Sequence, residues 1–469
     1  MRVLALAVGL GVLLAAGAGG AAGERTAEPT VRSAVPARAL ERAITPRRLR
    51  AHLTALAAIA NRNGGTRAAG TSGYSQSVAY VTRQLRAAGY RPRLNRFPFL
   101  FFRETQPTVF ERVAPGPRRY ERGPDFITMR YSGGGNLTAQ VVPVDLTSAS
   151  SGCESSDFAG FPRGAVSLMR RGGCPFSQKA LIAQASGAVA ALTANDGSPG
   201  RTAPISATLF APVRIPVMVI SSEVASELAT LAQAGQVRVR IVLTVLTTRA
   251  RAANVIADLP GRRSGVVLLG AHLDSVASGP GINDNGSGTA TVLEVARQAR
   301  RLRIRPRHGL RFAFWGAEEL GLVGSTSYVE SLSSTRRSRI RGVLNLDMVG
   351  SRNFGRLVYS GDGQPPGSLR IENAFRAYFG ARGLAVEEAS LGGSSDHAAF
   401  ARAGIPVGGL FTGADEVKSA ELARRFGGSA GQAFDACYHK ACDTVANVDL
   451  RVLGQMADAA GVVAVRLAR

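Results

Sequence analysis

An α/β fold, with a largely parallel but mixed sheet sandwiched by helices and interrupted by a β-rich insert, is what this 469-residue sequence predicts. Three observations carry that expectation. From residue 248 to the end, short apolar runs alternate with helical patterns, as they do where helices cover both faces of a parallel sheet. Between 135 and 247 the chain turns rich in Val, Ile, Thr and Gly, which places a second, β-dominated unit inside the first. A hydrophobic content of 45% over this length is enough to bury a core in more than one domain, and it excludes fibrous and disordered classes.

Taken in order, the opening "MRVLALAVGLGVLLAAGAGGAAG" has one cation at Arg2, an apolar run from Val3 to about Ala16, and small residues near Ala18 and Ala22. That is the pattern of a secretory signal over residues 1–23. The run is short of the roughly 20 apolar residues that a membrane span needs, so the expectation is a secreted chain without a membrane anchor. Residues 24–44 show no stable periodicity and read as a tail or propeptide. Residues 45–134 form the N-terminal part of the main domain. There "RRLRAHLTALAAIA" places Leu49, Leu53, Leu56 and Ala60 on one helical face, and "GYSQSVAYVTRQLRAAGY" does the same with Tyr74, Val78, Val81 and Leu85 before Gly89 stops it. In the insert, "TAQVVPVD", "GAVSLMRRG" and "RIPVMVIS" read as strands and "QKALIAQASGA" as a helix. Past 248, "GVVLLGAH", "LRFAFWGAEE", "GVLNLDMVG" and "IPVGGLFTG" read as buried strands, with helices at "TATVLEVARQARRL" and "LRVLGQMADAAGVVAVRL".

Net charge is +24, and only Lys179, Lys418 and Lys440 of the 57 basic residues are lysines. The run "RQARRLRIRPRHGLR" (297–311) invites a nucleic-acid partner. It has no interleaved aromatics and follows a predicted helix, so it reads as a solvated helix end, and no nucleic-acid partner is expected. Four cysteines in an exported chain point to two disulfides. Three pairings are possible; the favoured one joins Cys153 to Cys174 and Cys437 to Cys442, because each pair lies within one block of sequence.

The chemistry gathers at strand ends, where ligands of open α/β sheets collect. His272 and Asp274 end the first strand of the third region and Asp284 follows the loop "SVASGPGIN". Glu318 and Glu319 end the second, Asp347 ends "GVLNLDM", and His439 lies in "CYHKACD". Converging acids and imidazoles repel unless cations neutralise them. The donor types suit zinc, which takes His nitrogen and carboxylate oxygen at about 2.0–2.2 Å. The expected arrangement is two zinc ions about 3.5–4 Å apart, holding one bridging hydroxide. His272 and Asp347 are assigned to one ion, Glu319 and His439 to the other, and Asp284 to both. Asp274 is expected to accept the spare ring N–H of His272, and Glu318 to act as general base.

The motifs "AHLDSV", "GINDNGSGTA", "WGAEELGLVGS", "NLDMVG", "SSDHAAFARAGIPVGGLFTGA" and "AFDACYHKACDT" together resemble the secreted leucyl aminopeptidases of metallopeptidase family twenty-eight. "RGGCPF" and "GAVAALTAND" resemble the protease-associated (PA) domain, which makes the chain similar to the aminopeptidase Y type. The resemblance implies a zinc peptidase fold with an inserted PA domain at 135–247 and a peptidase domain resuming at 248–469. It implies the same five ligands (His272, Asp284, Glu319, Asp347, His439) and Glu318 as base. It adds Tyr438 as the group that stabilises the oxyanion and a Cys437–Cys442 disulfide around the ligand loop. It implies an enzyme acting on peptides with a free N-terminus; the oligomeric state, with a monomer favoured, and a calcium site are left open. Relatives carry a substrate-contacting arginine where this chain has Ser394, which puts the handling of very short peptides in question.

Other residues have plainer readings. Asp396 and His397 are set aside as supporting residues, because the ligand set is complete without them. His52 and His308 read as surface residues. "GPGINDNGSG" lacks a Walker lysine and reads as a loop bent around a metal rather than a phosphate cradle. "NLT" at Asn136 and "NGS" at Asn285 are formal glycosylation sites, the second unusable if it lies at the metal centre. Carboxypeptidase and glutaminyl cyclase are the alternatives on the same scaffold. A cyclase is expected to use a single zinc, and a noncatalytic binding protein would have lost a ligand or the base. Met348 and Phe411 are expected to line an apolar side-chain pocket, favouring leucine-like or aromatic first residues.

Overall fold

The computed structural model describes residues 35–469, apart from 149, 199–200, 210 and 391. The expected signal segment and most of the expected tail lie outside the described residues.

Two eight-stranded sheets organise the described residues. The first runs in the order Arg93–Glu104, Val245–Leu259, His308–Trp315, Arg263–His272, Ile340–Leu346, Val407–Phe411, Leu357–Tyr359, Glu387–Ala389. Its central four strands are mutually parallel, while Val245–Leu259 and Leu357–Tyr359 join antiparallel on either side. Parallel central strands need both faces covered. Helices Pro46–Asn61, Ser72–Ala87, Gly288–Arg301, Ser368–Gly380 and Leu450–Leu467 contribute Leu53, Val81, Val292, Phe375 and Val463 to the core on one face. Val323–Glu330 and His397–Arg402 contribute Tyr328, Val329 and Phe400 around the buried Trp315 on the other. The mixed α/β sandwich read from the sequence is present.

The helix ends follow from local chemistry. Thr71 accepts the N–H of Tyr74 at the start of Ser72–Ala87, and Gly89 takes a positive φ of 85° just past its end. Asp449 caps the final helix by accepting from Arg451 and Val452 at 2.8 and 3.1 Å. The described part of the expected 24–44 tail also packs. The helix Val35–Ala43 lies on Leu450–Leu467, with Leu40 and Ile44 buried against Gly461. Its few apolar residues are too short a run to show periodicity in the sequence.

The second sheet is ordered Arg118–Arg119, Val109–Ala114, Arg238–Leu243, Gly135–Pro143, Val166–Arg170, Ala190–Ala194, Val217–Ile220, Phe126–Thr128. It therefore begins at Val109, ahead of the expected boundary at 135. Val109–Ala114 and Phe126–Thr128 are edge or next-to-edge pieces whose pairing partners, Arg238–Leu243 and Val217–Ile220, come much later in the chain. Nothing local announces that pairing. Helices Phe176–Ala185 and Ser222–Ala234 cover opposite faces of this sheet. The structure pairs Cys153 with Cys174 and Cys437 with Cys442.

His52 and His308 are not surface residues. His52 is 2% exposed, between Tyr80 Oη at 2.7 Å and Glu294 Oε2 at 3.2 Å, and so ties three helices together. His308 opens a central strand and its Nδ1 faces the Ser264 carbonyl at 2.5 Å.

Candidate active site

Every sequence-predicted site residue comes to the carboxyl ends of the central strands. His272 is the last residue of Arg263–His272, and Asp347 directly follows Ile340–Leu346. Glu318 and Glu319 lie in the turn after His308–Trp315. The loop that brings Asp284 back beneath these ends needs glycine. Gly281 has φ 61°, and a Cβ there would sit 2.3 Å from the Asp284 carbonyl. At Gly288 a Cβ would sit 2.2 Å from the Leu346 carbonyl, so the following helix can close onto the strand end only without a side chain. The Asp284–Asn285 peptide is cis. Asn285 is fully buried and donates to Leu346 O at 2.8 Å, which leaves no room for a glycan, whereas Asn136 is exposed.

Two sets of side chains meet on Asp284. Its Oδ1 lies 3.1 Å from His272 Nε2, which is also 3.2 Å from Asp347 Oδ1. Its Oδ2 lies 3.1 Å from His439 Nε2, which is also 3.2 Å from Glu319 Oε2. Grouped instead by donor atoms within 4.8 Å of one another, His272 falls with Asp284 and Glu319, and with Glu318 and Asp347. Glu318 Oε2 stands farther off, at 3.9 Å from His272 Nε2. His439 and its neighbour Tyr438 stack at 3.8 Å between ring centroids, inside the loop closed by Cys437–Cys442.

The electrostatics are those of a site short of cations. Burial lowers the affinity of His272 for a proton, but Asp347 and Glu318 overcome that and hold its pKa well above the ordinary value. At His439, also partly buried, hydrogen bonds to Asp284 and Glu319 push the value up to about 10. Burial raises Glu318 well above a normal glutamate, and Asp396, Asp347 and Glu319 add to it. For Asp284, burial opposes ionisation but the two histidines win and lower its pKa. Glu319 Oε1 is buried with no hydrogen-bond partner. An orphaned carboxylate oxygen beside two imidazoles bound to a shared aspartate fits divalent cations, and the His and carboxylate donors are those zinc takes.

Asp274 departs from its expected role in one respect. His272 Nδ1 is 3.2 Å from the Asp274 backbone carbonyl, while the Asp274 carboxylate is 3.8 Å away and accepts Glu318 N–H at 3.2 Å. A carbonyl can only accept, so Nδ1 carries the proton and Nε2 keeps its lone pair for a metal. The carboxylate serves the Glu318 turn instead.

Other supporting residues were not singled out by the sequence. Arg67, fully buried in the loop between two early helices, donates to the carbonyls of Leu273, Pro280 and Gly281, and so locks the His272 strand end to the Asp284 loop. Asp443 accepts from the backbone of Asn283 and Asp284. Ser395 donates to Asp347 Oδ2 at 2.6 Å. Ala317, Leu322, Met348 and His439 all take positive φ values of 48–60°, so unfavourable backbone is concentrated around these ligand turns. His397 packs edge-on to Tyr359 at 5.0 Å and, like Asp396, is buried behind the cluster.

The cluster opens into a cleft of about 590 Å³. Met348, Phe411, Ala414 and Tyr438 supply apolar wall; Arg402, Asp415 and Glu416 also line it. Arg402 Nη2 is 3.5 Å from Thr326 Oγ1.

Comparison with known proteins bears on what this arrangement belongs to. Residues 254–464 match peptidase family M28, and 137–228 match the PA domain. An aminopeptidase of Pseudomonas aeruginosa is 42% identical over 414 residues, 86% of this chain and 77% of that protein. The aminopeptidase from Aneurinibacillus sp. strain AM-1 shares the fold with a TM-score of 0.74 at 24% identity, covering 91% of this chain and 95% of that one. A zinc aminopeptidase from Bacillus subtilis superimposes with a TM-score of 0.67 at 25% identity, covering 90% and 94%. The clustered histidines and carboxylates all fall within the matched segment, and with likeness of this extent to an aminopeptidase the chain belongs to peptidase family M28.

Proposed function

We propose that this chain is a secreted, zinc-dependent aminopeptidase that removes hydrophobic residues from the N-termini of peptides. The observation that carries the reading is the sharing of Asp284, one oxygen to the His272 set and the other to the His439 set, 3.1 Å on each side. His272, Asp284 and Asp347 would hold one cation; Asp284, Glu319 and His439 would hold the second. When bound, such a pair lowers the pKa of water toward neutrality and polarises a carbonyl oxygen.

The remaining steps belong to the chain's own residues. Glu318, whose proton affinity is raised by burial and neighbouring carboxylates, takes the proton of the attacking water and returns it to the leaving amine. Burial, with Asp284 and Glu319 nearby, keeps the Tyr438 phenol protonated, so its O–H can donate to the substrate oxygen as that oxygen gains charge. The α-ammonium of the substrate is held beside Glu318 and Asp347. Its side chain lies against Met348, Phe411 and Ala414. The 135–247 insert and the peptidase segments around it are proposed as separate domains, the insert supplying none of these groups. Two disulfides suit an oxidising compartment, and no helix among the described residues is long and apolar enough to cross a membrane.

Arg402 is the one feature that favours a carboxypeptidase, which needs a guanidinium for the terminal carboxylate. Six carboxylates line the same cleft, namely Asp284, Glu318, Glu319, Asp347, Asp415 and Glu416, and that surplus favours a cationic amine. Leucyl anilide is expected to be cleaved, and N-acetyl-leucyl anilide, which lacks the charge, far more slowly. Equal rates on the two, or release of residues from the C-terminus of a test peptide, would reject the reading.

A further inference from the structure

We propose that Arg130, which lies ahead of the 135–247 insert but within the unit built on the second sheet, is a positioning residue for the Glu318–Glu319 turn, so that this unit forms part of the catalytic apparatus. The proposal rests on the assignment of Glu318 as base and Glu319 as ligand. Arg130 Nη1 donates to the backbone carbonyl of Glu319 at 2.6 Å. The backbone that carries this guanidinium is itself held by the second sheet's connections. Arg130 N–H donates to Ala207 O at 2.9 Å, Arg130 O accepts from Leu209 N–H at 3.1 Å, and the preceding Met129 donates to Val217 O at 3.0 Å.

The turn needs an external hold at this carbonyl. Ala317 O accepts from Val323, and Glu318 O accepts from both Gly321 and Leu322, so those two carbonyls are satisfied within the turn. Glu319 O receives its hydrogen bond from across the domain boundary. The turn also contains Ala317 and Leu322 at φ 55° and 60°, conformations that persist only where surrounding contacts enforce them. Asp274 grips one end by accepting Glu318 N–H, and Arg130 grips the other. The two together fix the peptide planes on both sides of the 318–319 pair, and so the directions in which its two carboxylates leave the backbone. A cationic donor to a carbonyl makes a stronger hold than a neutral one.

The full-length chain carrying Arg130→Met tests this, with leucyl anilide as substrate, turnover normalised to folded protein, and zinc retention measured by chelator competition. The expected result is a kcat lower by about tenfold or more, since small misplacements of reacting groups are this costly. KM should stay within about twofold and zinc should be lost to chelator at roughly tenfold lower concentration. Arg130→Lys, which keeps the charge and a donor, should recover most of the kcat. Tyr131→Phe removes another bond across the same boundary, Tyr131 Oη to Leu100 O at 3.0 Å, and should leave kcat unchanged. Should Arg130→Met not fold, Arg130→Ala, which also lacks a donor, takes its place with the same expected results. Unchanged kcat and zinc retention in the Met or Ala variant would overturn the proposal, as would an equal loss in Tyr131→Phe, which would mean that domain docking in general sets the rate. A wild-type chain without zinc-dependent turnover would reject the aminopeptidase reading instead.

Discussion

Asp443 Oδ2 accepts the backbone N–H of Asp284 at 3.0 Å, which ties the loop of the shared carboxylate to the residue just past the Cys437–Cys442 disulfide. Its Oδ1 accepts from Asn283 N–H at 2.8 Å and faces Asn447 Nδ2 at 3.2 Å. One buried aspartate therefore sets the position of Asp284 and, through the same short loop, that of His439. Asp443→Ala would leave two buried N–H groups without an acceptor. Partners of this kind typically account for 10–100-fold in metal affinity, and a loss of about that size is expected when zinc retention is measured against a competing chelator. A variant that holds zinc as tightly as wild type would show that the disulfide alone positions the loop.

Glu318 and Glu319 are neighbours with different expected roles, and isosteric variants separate them. Glu318→Gln keeps shape but cannot carry a proton, so turnover should fall by roughly two to four powers of ten while zinc content stays the same. Glu319→Gln should instead lose zinc, because its carboxylate lies 3.2 Å from His439 Nε2 and an amide is a poor ligand. Metal analysis alongside single-turnover rates distinguishes the outcomes. Near-normal turnover in Glu318→Gln would place the base elsewhere.

Metal stoichiometry checks the shared carboxylate directly. Elemental analysis should find two zinc ions per chain. Chelation should abolish turnover, and zinc or cobalt should restore it, since both take imidazole and carboxylate ligands. Asp284→Asn should lose both ions together, whereas His439→Ala should lose one. Full activity with a single tightly held ion would rule out the pair.

What could be read in the sequence follows from how local each signal is. His272, Asp347 and the Glu318–Glu319 pair each end an apolar run that itself announces a strand, so position and chemistry come from the same few residues. Asp284 and His439 lie in loops dense with Gly, Asn and Cys. Arg67 and Arg130 gave no such signal. Each is one arginine among many in a loop, and each acts on backbone carbonyls that are distant in sequence, Leu273 and Gly281 in one case and Glu319 in the other. The strand Val245–Leu259 gives no sequence signal for a different reason. Its first half is a largely solvent-exposed ribbon paired with Arg93–Glu104, so it lacks the continuous apolar run that marks the central strands. His52 reads as a surface residue in the sequence because its partners Tyr80 and Glu294 come from two other helices.

The docking of the first described helix should depend on pH through Asp458. This residue of the final helix has Oδ1 buried without a hydrogen-bond partner, and burial together with the nearby Glu41 carboxylate pushes its pKa up to about 8, against the pull of Arg382. Glu41, on the first helix, is itself paired with Arg382 and accepts from Tyr378 Oη at 3.0 Å, so it cannot turn away to relieve the repulsion. The ordinary aspartate value is 3.8. Between that value and about 8 the folded chain holds a proton that the unfolded chain has released, so stability falls as pH rises across this window and is fully retained below it. Asp458→Asn imitates the protonated form. Its melting temperature should match that of wild type near pH 4 and exceed it by a few degrees near pH 9. Parallel melting curves for the two proteins across that range would show that Asp458 is charged in the folded state at every pH tested, with Arg382 divided between it and Glu41.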